Sequence, residues 1–110
     1  MKIAFVFPGQ GSQSVGMMAG YAGLAQIDET MAAADAALGS SLAALIANGP
    51  AEELAVTTTT QPAMLAADVA VWNAWVAAGG PVPSMVAGRS LGEYAALVAA
   101  GVLNFDAAMK

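Results

Sequence analysis

Three stretches of this sequence predict an α/β fold built on a parallel sheet. Lys2-Ile3-Ala4-Phe5-Val6-Phe7 is an apolar, partly β-branched and aromatic run with no alternation, the pattern of a strand covered on both faces. Residues 84–94 pass from a short apolar strand through a glycine-flanked turn into a helix. Between them, residues 63–78 are apolar on nearly every side, including Met64, Leu65, Val69, Val71, Trp72, Trp75 and Val76, and a helix of that kind is internal.

Taken in order, the first strand ends at Pro8, which leaves Gly9-Gln10-Gly11-Ser12-Gln13 as a loop. Residues 15–25 can begin a helix, so the loop lies at the carboxyl end of a strand, where ligands bind in open α/β sheets. Residues 28–38 set Met31, Ala34 and Leu38 on one helical face, with an acidic first turn and Gly39 as a stop. Ser40-Ser41 can cap another helix, with Leu42, Leu45 and Ile46 on its buried side and Asn48-Gly49-Pro50 closing it. Residues 51–55 continue as a short helical turn. The four threonines Thr57 to Thr60 are too β-branched for a helix interior and predict an extended link. Gln61-Pro62 then opens the long helix, proline suiting its first turn, and Gly79-Gly80-Pro81 ends it. Met17, Met18, Met31, Met64 and Met85 are core filler on this reading. The last helix is expected over residues 91–103, with Gly101 near its end. Asp106 resembles an N-cap with only four residues after it, too few to sustain a helix. The expectation is therefore a chain of 1–110 truncated after Lys110.

Composition points the same way. The 110 residues are 58% hydrophobic and 10% charged, where a typical soluble domain has roughly 45–50% and about 25%. So few charges cannot dress the surface of a lone small domain. The chain is expected to form part of a larger globule, with association through the exposed apolar surface that truncation leaves. Eight Asp and Glu face only Lys2, Arg89 and Lys110, so there is no basic face for nucleic acid or an anionic membrane. No signal peptide is apparent, and the apolar run over residues 62–78 contains Asp68 and Asn73 and falls short of the roughly twenty residues a bilayer needs. Absence of cysteine excludes disulfides, thiolate catalysis and zinc-thiolate sites and agrees with a cytoplasmic origin. Absence of histidine removes the usual metal ligand and the usual general base together; no metal site is expected.

Gly88-Arg89-Ser90-Leu91-Gly92 fits the G-x-S-x-G pattern of a nucleophile elbow. Glycines two positions either side let the backbone pass close to its neighbours, and the turn presents the serine hydroxyl at the head of the following helix. Helix amides there can stabilise the oxyanion that forms when Ser90 attacks a thioester or ester carbonyl. If both strands lie in one parallel sheet, the Gly9-Gln10-Gly11 loop and the elbow open at the same edge, and a loop amide can join the Leu91 amide as an oxyanion pair. A serine that only caps a helix, and a loop that is an ordinary strand-to-helix turn, stand as the plainer readings, and the residues alone leave both open. A serine hydroxyl also needs a base. Within the chain the substitutes for imidazole are Glu93, Asp68, Asp106, Lys2 and Lys110; Glu93 lies about one helical turn beyond Ser90, where capping explains it equally well.

Phe7-Pro8-Gly9-Gln10-Gly11-Ser12-Gln13, Thr60-Gln61-Pro62-Ala63 opening a long helix, and Gly88-x-Ser90-Leu91-Gly92-Glu93-Tyr94 together resemble the malonyl-CoA:acyl carrier protein transacylases and the related acyltransferase domains of fatty-acid and polyketide synthases. The resemblance runs over the whole chain. It implies an α/β-hydrolase-like parallel-sheet core with helices on both faces, the family's smaller ferredoxin-like subdomain being absent from this chain. It also implies transfer of malonyl from coenzyme A to the phosphopantetheine thiol of the carrier protein, in fatty-acid biosynthesis, with no cofactor beyond these two substrates. By position, Ser90 is the residue acylated, the backbone amides of Gln10 and Leu91 form the oxyanion hole, and Gln61 lines the active site. Arg89 departs from the pattern, which has histidine there, and an arginine cannot both donate and accept as imidazole does. Family members are well over twice as long, and their catalytic histidine and malonyl-binding arginine fall beyond Lys110, so the isolated chain is expected to be inactive.

Three other readings compete. A dinucleotide-binding module needs G-x-G-x-x-G, and Ser14 occupies the third glycine's place after Gly9 and Gly11. A serine hydrolase or thioesterase shares the elbow and sends the acyl group to water. A non-catalytic interaction fragment would dock its apolar surface on another chain.

Overall fold

The computed structural model describes residues 3–9, 11, 13–21, 24–39, 41–81, 83, 85–88, 91–101, 105 and 109. Two short strands, β1 (Ala4–Phe7) and β2 (Met85–Gly88), pair in parallel. Between them run α1 (Ala25–Leu38), α2 (Leu42–Asn48), α3 (Ala51–Leu54) and α4 (Thr57–Ala77), and α5 (Leu91–Ala99) follows β2. Parallel neighbours need a crossover connection, and the four helices make up this one. Ala4 stands opposite Met85, Phe5 opposite Val86, Val6 opposite Ala87 and Phe7 opposite Gly88.

The core forms where α4 lies against one face of the sheet. Residues 63–70 of α4 are all buried. Phe5 meets Trp72 edge-on with ring centroids 5.4 Å apart and Trp75 at 5.1 Å, and Phe7 meets Trp72 at 6.3 Å. Each such aromatic pair contributes about 0.5–1.5 kcal/mol beyond the area it buries. Ile27, Met31 and Ala34 of α1, Leu42 and Ile46 of α2, Leu54 of α3 and Ala95 of α5 complete the cluster.

The opposite face of the sheet is bare. Ala4 and Ala87 are exposed, Val6 is 79% exposed and Met85 64%. The expectation of a strand covered on both faces, with helices on both, is corrected: among the described residues helices lie on one face only. An unalternated apolar run shows that both faces are hydrophobic, but burial requires an element to cover each. Met85 is accordingly surface and not core filler, whereas Met31 and Met64 are buried and Met17 and Met18 half-buried against the core.

Several boundaries move for local reasons. Residues 15–18 form turns and Ala19–Tyr21 a single 3-10 turn in place of the expected helix. Gly16 there takes φ 78° and donates to the Ile46 carbonyl at 2.6 Å, tying the segment to α2. α1 begins at Ala25, three residues earlier than the acidic turn suggests, and ends as expected at Gly39, whose amide returns to the Asp35 carbonyl at 2.8 Å. Ser41 occupies the N-cap position of α2 without a side-chain bond. Asp35 Oδ1 caps it instead, accepting from the Leu42 amide at 2.7 Å and the Ala43 amide at 3.3 Å.

The largest correction is Thr57 to Thr60, which forms the first turn of α4 and not a link, and so leaves Pro62 inside the helix. The buried Thr60 hydroxyl donates to the carbonyl of Leu54 and, at 3.0 Å, to that of Val56. Intrinsic propensity is a weak preference, and this pairing with the end of α3 outweighs it. At the far end of α4, Val76 is 56% exposed, so the helix is fully internal only along residues 63–70. α5 stops at Ala99, with Gly101 at φ 78° two residues on. Phe105 and Met109 are helical, and Met109 is buried in the core cluster. The expected N-cap, Asp106, lies outside the described residues.

Candidate active site

The carboxyl end of the sheet is where the two sequence motifs meet. Because Phe7 pairs with Gly88, the loop that follows β1 and the turn that follows β2 leave from the same rung. Gly92, in the first turn of α5, is buried directly beneath that loop. A Cβ built on it would overlap the Phe7 carbonyl oxygen and come within 3.0 Å of the Phe7 carbonyl carbon and 3.4 Å of the Pro8 oxygen. No residue but glycine lets the helix approach the strand end this closely, which is the role the G-x-S-x-G pattern assigns to its second glycine.

Around this junction lies a shallow cleft of about 520 Å³ bounded by Val6, Phe7, Pro8, Ala87 and Gly88. In the loop, Gly11 adopts φ 106°, open to glycine and not to ordinary side chains, and its amide donates to Gln13 Oε1 at 2.8 Å. The side chain of Gln13 thereby shapes the loop from within.

The structure thus brings together the segments that carry the expected site. Ser90, Gln10 and Arg89 lie outside the described residues, as does the side chain of Glu93. Leu91 is the first residue of α5. Gln61 is exposed near the start of α4 and is not among the residues bounding the cleft. Among the described residues there is no group of three or more histidine, cysteine, aspartate or glutamate side chains placed to hold a metal ion, and no helix is long and apolar enough to cross a membrane.

One feature went unread in the sequence beyond its place among substitute bases. Asp68, on the buried face of α4, is 7% exposed, and its Oδ2 has no hydrogen-bond partner among the described residues. Burial pushes its carboxyl from 3.8 up to about 7, since the low-dielectric surroundings penalise the charged form. A lone acid in an otherwise apolar helix was the available signal.

A parallel strand pair whose carboxyl edge meets both a glycine-bearing loop and the helix that follows a G-x-S-x-G sequence is an arrangement found in serine acyl-transferring enzymes. The chain belongs to the acyl transferase domain family, whose sequence profile matches residues 4–110. Among individual proteins it is 58% identical to the malonyl CoA-acyl carrier protein transacylase of Salmonella typhimurium over 110 residues, which is 99% of this chain and 36% of that protein. The fold superimposes on the crystal structure of an acyl-carrier-protein S-malonyltransferase from Burkholderia pseudomallei with a TM-score of 0.97 at 59% identity, again covering 99% of this chain and 36% of the other. A malonyl-transacylase solved in complex with a type II polyketide-synthase acyl-carrier protein matches with a TM-score of 0.95 at 52% identity, at the same coverage. The chain therefore spans about a third of the length of the curated relatives it matches.

Proposed function

We propose that this chain is the N-terminal part of a single acyltransferase catalytic domain with an α/β-hydrolase-like core, which transfers malonyl from coenzyme A to acyl carrier protein in the cytoplasm. Ser90 is its nucleophile. The observation that supports the reading is the Phe7–Gly88 register with Gly92 packed under the Phe7 and Pro8 carbonyls, so that the chain leaves β1 and β2 from one edge.

In the proposed reaction, Ser90 Oγ attacks the thioester carbonyl carbon of malonyl-CoA while a base removes its proton. The carbonyl electron pair moves to oxygen, where the amides of Gln10 and Leu91 hold the negative charge. Collapse breaks the carbon–sulfur bond, and the coenzyme A thiolate leaves with the proton the base holds. The carrier protein's phosphopantetheine thiol then repeats the attack on the serine ester, restoring the Ser90 hydroxyl. By its match to the family motif, Gln61 lines the site that holds the acyl group in the complete domain, although it does not bound the cleft at the sheet edge of this chain. No cofactor is needed beyond the two substrates.

This chain has no histidine and only three cations, so the general base and the groups that neutralise coenzyme A phosphates and the malonyl carboxylate belong to the remaining two-thirds of a full-length protein. Incubated with radiolabelled malonyl-CoA, the 110-residue chain is expected to take up no acid-stable label. Joined to the rest of the Salmonella typhimurium transacylase in place of its matching third, it is expected to label rapidly, and Ser90→Ala is expected to remove that label. Persistent labelling of the alanine variant would overturn Ser90 as nucleophile, and release of free malonate in place of malonylated carrier protein would make the enzyme a hydrolase.

A further inference from the structure

The loop that follows β1 is anchored at both ends. At one end Phe7 pairs with Gly88. At the other, the Met17 amide donates to the Ser14 carbonyl at 3.1 Å, the Gly16 amide donates to the Ile46 carbonyl at 2.6 Å, and Met17 packs against the core. Gly11, between these anchors, is exposed, and a Cβ built on it would meet nothing within 4 Å, so packing does not fix its backbone. Glycine is also the residue with the widest choice of φ. Among the described residues, the group that holds Gly11 at φ 106° is the half-buried Gln13, whose Oε1 accepts from the Gly11 amide at 2.8 Å.

We propose that Gln13 is a positioning residue for acyl transfer, keeping the loop amide aimed at the oxyanion that forms when Ser90 attacks. This rests on the proposed function, in which the Gln10 amide is one of the two donors. The Gly11 N–H shares a rigid peptide plane with the Gln10 carbonyl. A bond to that N–H therefore fixes the chain immediately after Gln10 and limits how the Gln10 amide can turn. Gln13 touches no substrate in this role. Preorganised donors act once negative charge develops on the carbonyl oxygen, so a slack loop slows the chemical step and leaves the affinity for malonyl-CoA as it was.

Gln13→Met keeps the length and the apolar stem of the side chain and removes its oxygen acceptor. In the 110-residue chain with this substitution, the Gly11 amide is expected to exchange its hydrogen about three- to tenfold faster by NMR. Gln13→Glu, which keeps an acceptor oxygen at the same reach, is expected to retain the slow exchange. In the fusion to the remainder of the Salmonella typhimurium transacylase, with active sites counted by acid-stable label, Gln13→Met is expected to lower kcat for malonyl transfer about ten- to thirtyfold, with KM for malonyl-CoA within about twofold of the unaltered fusion. Unchanged Gly11 exchange would overturn the inference whatever the enzyme does. So would an unchanged kcat per labelled site, a rise in KM alone, or a loss of activity that follows the loss of labelled sites, which marks a side chain needed only for folding. Label that survives Ser90→Ala is a separate result, overturning the proposed function and this inference with it.

Discussion

Replacing Gly92 by alanine would set a methyl group against the Phe7 carbonyl, a backbone atom at the end of β1 and not the tip of a side chain that can swing away. The expected result is a loss of about 1–3 kcal/mol in urea unfolding, because either α5 or the strand end must shift. Unchanged stability would show that the helix can slide free. Asp68 makes a second residue-scale prediction. Its carboxyl ionises near 3.8 when unfolded and near 7 when folded, so between about pH 4 and pH 7 the folded chain keeps a proton that the unfolded chain has released. The stability this provides is fully present below the unfolded value and is lost as pH rises through about 7. Asp68→Asn, which mimics the neutral acid, is expected to gain on the unaltered chain across that window by roughly 1–3 kcal/mol, read from denaturation midpoints at each pH. Of these two residues, Gly92 was legible in advance from its spacing to Ser90. The isolation of Asp68 was not, because it depends on which side chains the fold leaves out of its reach.

At the scale of elements, the turn signals read well and the caps poorly. Gly39, Gly79 and Gly101 all take positive φ at helix ends, as glycine's freedom there predicts. The cap of α2 comes from Asp35, seven residues before Leu42 and on another helix, so local inspection offered only the adjacent Ser40-Ser41. Four threonines read as a link for the same reason, since their tertiary partner, the Leu54 carbonyl, is invisible to propensity. Thr60→Val keeps the shape, removes the buried hydroxyl and leaves that carbonyl without this donor. It is expected to cost about 1–2 kcal/mol, with Thr60→Ser costing less; chemical denaturation of both variants checks this. Equal losses would place the effect in packing and not in the hydrogen bond.

For the whole molecule, hydrophobicity led to the expectation of a strand covered on both faces, and among the described residues the sheet has one face under α4 and α5 and the other bare. Lysine at Val6 and Met85 together is expected to change stability by less than about 0.5 kcal/mol, because neither side chain is buried in this chain. A larger loss in thermal or urea unfolding would mean that the face is packed after all. The sequence foretold a parallel sheet and its order of elements, but not which face would be covered, since coverage depends on the full set of elements present and not on the strand that awaits them.

The shared rung of Phe7 and Gly88 carries a consequence for how such a protein tolerates change. Deleting or inserting one amino acid within either ribbon would offset one exit point from the other by about 3.3 Å and turn alternate side chains over. A reacting hydroxyl and its stabilising amides must agree to within a fraction of that distance. Length variation is thus admissible in the helices of the crossover, which can absorb it at their ends, and forbidden in eight residues whose individual side chains are chemically unremarked.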